Sequence, residues 1–94
     1  MGNRIILGNT PEQNRFVSIS DFKECLRYHG EIEFDWKFGE YSITWVDDKI
    51  CITEAYKPET ELLCDTADEV LEYMVGGDRL RDVITQVTVL FRTF

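Results

Sequence analysis

Along Glu31-Ile32-Glu33-Phe34-Asp35-Trp36-Lys37-Phe38 every even position is large and apolar and every odd position is charged, the period of two that a half-buried strand requires. The pattern predicts a strand from Glu31 to Lys37 that sends Ile32, Phe34, Trp36 and Phe38 into a core and turns Glu31, Glu33 and Asp35 to water. A turn follows around Phe38-Gly39-Glu40, after which Tyr41, Ile43 and Trp45 alternate with Ser42, Thr44 and Val46. Asp47-Asp48 marks a second tight turn before Lys49-Ile50-Cys51-Ile52-Thr53. Connections this short predict an antiparallel meander.

The period changes on either side of the meander. Ser18 with Asp21 three positions later makes a capping signature, Ile19, Phe22 and Leu26 recur at helical spacing, and Gly30 supplies a left-handed end, so a helix is expected over Ile19 to His29. Lys57-Pro58-Glu59-Thr60 reads as a turn and Glu61 to Cys64 as a fourth short strand. Thr66-Ala67-Asp68-Glu69 is a second capping box, behind which Val70, Leu71 and Met74 form the stripe of a helix that stops at Gly76-Gly77. Asp78 is placed to cap a further turn or two through Leu80, Val83 and Ile84. The closing stretch Gln86 to Arg92 is β-branched and alternating, the mark of a strand.

Residues 1–17 read as an N-terminal arm, with a short strand at Arg4 to Leu7 and a turn over Gly8 to Pro11, and 18–94 as one domain. The fold class is α+β: an antiparallel β-meander with an N-terminal helix, one or two C-terminal helices packed on one face, and a returning C-terminal strand. The helices are expected to cover the face bearing Phe34, Trp36, Ile43, Trp45, Ile50 and Ile52.

Composition narrows the function classes. With 94 residues and an apolar fraction of 44%, the chain can bury roughly 60 to 65% of its unfolded surface. A net charge of −8 disfavours direct contact with nucleic-acid phosphates and suits a basic partner, although the same charge also keeps a small protein soluble. Cys25, Cys51 and Cys64 are odd in number and form no C-x-x-C pair, which points to reduced thiols and a cytoplasmic setting. The early apolar stretch Arg4 to Gly8 is too short for a signal peptide, and no run approaches the length of a membrane span.

Three clusters carry possible chemistry. Cys25 and His29, four apart on the first expected helix, fit either two ligands of one metal ion, completed by Cys51 and Cys64 as a Cys3His set, or a thiolate and its base. Buried free cysteines and a helix-terminal histidine are the structural alternative. The carboxylates make the sharper case. Glu31, Glu33 and Asp35 recur every second residue, about 6.6 to 6.8 Å apart, close to the spacing of successive phosphates along a nucleic-acid strand. Asp47 and Asp48 extend the negative charge, so the surface is suited to mimic phosphates; its alternative is a solvated outer face. Trp36, Tyr41, Trp45 and Tyr56 offer stacking surfaces or simply core material. The acids do not match a calcium loop, and Gly76-Gly77-Asp78-Arg79 lacks the rest of a phosphate-binding motif.

The run "GEIEFDWKFGEYSIT", "KICITEAY" and "DTADEVLEYMVGGDRLRDVI" behind a capped helix resembles small uncharacterised α+β proteins of Gram-positive bacteria and their phages or mobile elements, and that resemblance implies no activity. The residues favour a non-enzymatic module that binds a basic protein partner through Glu31, Glu33, Asp35, Asp47 and Asp48. No catalytic group, cofactor, membrane or direct nucleic-acid contact is expected. A metal- or thiol-dependent protein using Cys25, His29, Cys51 and Cys64, or an aromatic small-ligand binder, is the alternative.

Overall fold

The computed structural model describes residues 10–94. In chain order these form α1 (Pro11–Asn14), α2 (Ile19–Arg27), β1 (Ile32–Trp36), β2 (Gly39–Val46), β3 (Lys49–Glu54), β4 (Lys57–Cys64), α3 (Ala67–Leu71), β5 (Met74–Val75), β6 (Asp78–Arg79), α4 (Leu80–Val83) and β7 (Thr88–Arg92). The architecture is α+β. Five strands make one antiparallel sheet in the order β4-β3-β2-β1-β7, and β5 and β6 form a separate small hairpin.

The meander follows from its turns. Val46 pairs with Lys49 across Asp47-Asp48, and both aspartates have left-handed φ angles of 50° and 66°, the backbone a two-residue hairpin loop needs. One buried cluster lies against the sheet. Phe34, Ile43, Ile50 and Ile52 are fully buried in it, Trp36 and Trp45 are half-buried at its margin, and Phe22, Leu26, Val70, Leu71, Leu80 and Val83 close it from the helices. The returning strand β7 pairs with β1 as expected, with a register shift between Glu33 and Phe34 that leaves Leu90 as the extra residue.

Several boundaries differ from the expectations. The first helix ends at Arg27, and it is His29, at φ 59°, that takes the left-handed position. Gly30 is required by crowding instead: a Cβ there would meet Cys25 Sγ at 2.6 Å and Cys25 O at 2.8 Å. Phe38 leaves the core face altogether, because Trp36 already pairs with Gly39 and the chain reverses over Lys37-Phe38. The alternation simply runs on past the end of the strand. The turn expected at Lys57–Thr60 is a bulge within β4, where the single residue Thr53 faces residues 58–61. Thr60 Oγ1 fills that gap by accepting from Glu54 N at 3.0 Å and donating to Lys57 O at 2.7 Å. Pro58 is tolerated there because β4 is an edge strand.

The second helix is shorter than its apolar stripe. Thr66 and Glu69 form the expected capping box, but the helix stops at Leu71, and Met74 belongs to a hairpin whose turn is Gly76-Gly77, at φ 57° and 87°. Asp78 does not cap α4. It accepts from Trp36 Nε1 at 2.9 Å and pairs with Lys37 at 2.8 Å, fastening this hairpin to the end of β1.

From Thr10 onward the expected arm is part of the packed body. Thr10 and Gln13 build a capping box around α1, Phe16 is fully buried edge-on to Phe22, and α1 rests on β7. Arg92 joins the three elements, donating to Asp21 Oδ1 at 3.0 Å, to Asp21 Oδ2 at 3.3 Å and to Asn14 O at 3.0 Å. The short strand expected at Arg4 to Leu7 lies outside the described residues.

Candidate functional site

Because the core occupies one face of the sheet, the outward residues of β1 and β2 share the opposite face. Glu33 stands opposite Ser42 and Asp35 opposite Glu40, while Glu31 continues the column at the start of β1. The C-terminus pins that start: Glu31 N donates to Thr93 Oγ1 at 2.8 Å and Thr93 N to Glu31 O at 3.1 Å. The alternation of β1 therefore places Glu31, Glu33 and Asp35 as expected, on one side of a regular strand. Asp35 is half-buried, and its Oδ1 is shielded from solvent without a hydrogen-bond partner among the described residues.

Glu40 is the member of this face that was not anticipated. Directly opposed carboxylates repel, so the Asp35–Glu40 pairing costs stability unless a cation approaches. The signal for it was the turn length: a two-residue loop at Lys37-Phe38 dictates that Asp35 and Glu40 face each other. Asp47 and Asp48 do not join this group. They sit at the hairpin tip at the other end of β2, where their left-handed backbone explains their presence.

The distribution of ion pairs sharpens the contrast. Every lysine and arginine among the described residues already has an acidic partner: Arg15, Lys23, Arg27, Lys37, Lys49, Lys57, Arg79, Arg81 and Arg92 pair with Glu12, Asp68, Glu24, Asp78, Asp65, Glu54, Glu72 (twice) and Asp21. Glu31, Glu33, Asp35 and Glu40 take part in none of these pairs. A cavity of about 230 Å³ opens on this face, lined by Glu33, Phe34, Glu40, Tyr41, Ser42, Ala55 and Leu90.

The cysteine and histidine set is not gathered. Cys25 is buried in the core beneath Gly30, and His29 lies outside the helix, stacked on Trp45 with ring centroids 3.9 Å apart and planes 8° from parallel. Cys64 faces inward from β4 opposite Ile50, whereas Cys51 projects to the opposite side of the sheet, opposite Thr44 and Leu63. Cys51 donates to Glu61 Oε2 at 3.0 Å, and burial together with this carboxylate pushes its thiol up to about 11. Burial also raises the thiols of Cys25 and Cys64. Among the described residues no three His, Cys, Asp or Glu side chains are placed to hold a metal ion, and no helix is long and apolar enough to cross a membrane.

The aromatic residues divide in the same way. Tyr41 is core, stacked on Phe34 at 5.2 Å, and burial raises its hydroxyl above the usual range. Trp36 is committed to Asp78 and Trp45 to His29. Tyr56, in the β3–β4 loop, is 96% exposed. Comparison with known proteins finds no matching family model, no matching curated protein and no matching solved structure.

Proposed function

We propose that the protein is a small binding module that docks the acidic side of its β1–β2 pair on a basic protein, occupying a surface that otherwise grips a nucleic-acid backbone. One observation carries this reading: all described cations are paired elsewhere, while Glu31, Glu33, Asp35 and Glu40 form a patch of carboxylates without a cationic partner among the described residues. The column on β1 repeats at about 6.6 to 6.8 Å, near the spacing of successive phosphates. A rigid sheet presents these charges without the entropy cost of ordering them at the moment of binding. Three buried free thiols suit action in a reducing cytoplasm.

The test is capture of partners from a lysate, followed by binding kinetics at two salt concentrations with the wild type and the E31Q/E33Q/D35N variant. Exposed charges are screened over about 8 to 10 Å at physiological ionic strength, so the wild-type association rate should fall steeply with salt. Neutralising the column should slow association about tenfold or more and flatten that dependence, with the fold intact. Equal association by the triple variant, or recovery of partners with no basic surface, refutes the reading.

A further inference from the structure

We infer that a groove at one end of the sheet, walled by Phe38 and Tyr56, grips an arginine side chain of the partner protein. In an antiparallel meander the β1–β2 and β3–β4 loops lie at the same end, and here they are joined by Ala55 N donating to Glu40 O at 2.8 Å. Phe38 is 107% exposed and Tyr56 96%, yet both line one cavity of about 340 Å³ together with Glu40, Glu54 and Lys57, two acids against one cation. Two large rings held out in water contribute nothing to the core and mark a surface that gains by being covered.

The chemistry of the walls selects the occupant. Aromatic faces attract a cation, and a planar guanidinium both stacks on a ring and donates two hydrogen bonds to one carboxylate. Glu54 is engaged by Lys57 at 3.2 Å, which leaves Glu40 as the acceptor. Glu40 also lines the cavity on the acidic face, so a basic segment lying along Glu33 and Asp35 delivers its next side chain into the groove. An anionic membrane is repelled by these acids, and a second copy would bring like charges together. The inference rests on the proposed function for the class of partner, and adds the side chain that is read and the residues that read it.

The experiment is an amide chemical-shift titration with the peptide (Gly-Arg-Ser)3 and with the same peptide carrying citrulline, the neutral isostere of arginine. The arginine peptide should shift residues 38–40 and 54–57 and bind at least tenfold more tightly than the citrulline peptide. F38A and Y56A should each weaken it about fivefold or more, while their spectra elsewhere and their denaturation midpoints stay unchanged. Unchanged binding by F38A/Y56A, equal binding of the citrulline peptide, or shifts confined to Glu31, Glu33 and Asp35 would overturn the inference. So would self-association, or binding to phosphatidylcholine vesicles, that disappears in F38A/Y56A. E31Q/E33Q/D35N separates the two readings, because loss of binding in that variant alone leaves the acidic face standing without the groove.

Discussion

Phe34 and Phe38 occupy equivalent places in the alternating pattern, and truncating each to alanine should give opposite results. Phe34 is fully buried, stacked on Tyr41 at 5.2 Å and flanked across the ladders by Tyr41 and Val89. Removing its ring deletes buried apolar surface and opens a cavity between three strands, a loss of about 3 to 5 kcal/mol. A domain of this length has a total stability of about 5 to 14 kcal/mol, so the variant loses a large part of it. With a urea m-value of about 1.5 kcal/mol/M the midpoint should fall by about 2 to 3 M. Phe38 has no such surroundings, and F38A should stay within about 0.5 kcal/mol of wild type. Urea unfolding followed by tryptophan fluorescence measures both. A cost below 1 kcal/mol for F34A, or above 1 kcal/mol for F38A, would refute the assignment of the two faces.

Two further predictions concern titratable groups. Asp21 is held below its usual range, first by the hydrogen bonds from Arg92, so its contribution is present above the unfolded carboxylate value near 4 and is lost as pH falls through the depressed folded value. D21N should therefore cost about 1 to 2 kcal/mol at pH 7 and progressively less as the pH falls below the unfolded carboxylate value; a deficit that persists undiminished in acid would assign the loss to packing instead. Cys51, whose thiol is raised to about 11, should react with iodoacetamide at pH 8 about a hundredfold or more slowly than an unfolded cysteine, and E61Q should speed it. Three thiols titrate after denaturation; zinc retained through purification would contradict the separation of Cys25, Cys51 and Cys64.

The meander, its inward residues and the outward column Glu31, Glu33, Asp35 were legible because each depends on short-range physics. Period-two alternation sets the faces, and a two-residue turn at Asp47-Asp48 sets the antiparallel pairing. The Ser18 and Thr66 caps were legible for the same reason, since a side chain reaching a backbone N–H three residues on involves no distant part of the chain. Where elements ended was not. Met74 fits the apolar stripe of a helix, yet it pairs with Arg79 across the Gly76-Gly77 turn, in a hairpin that Asp78 anchors to Trp36 and Lys37, about forty residues away in the chain. Phe38 continues the strand's alternation, and only the register of β1 on β2 places it in solvent. Glu40 joins the acidic face through that same register, and the nine described cations, all paired away from this face, are brought to their partners largely by contacts the sequence does not display. The separation of Cys25, His29, Cys51 and Cys64 is of this kind too: spacing along the chain puts residues on one face of an element, and packing alone decides whether two elements turn those faces toward each other.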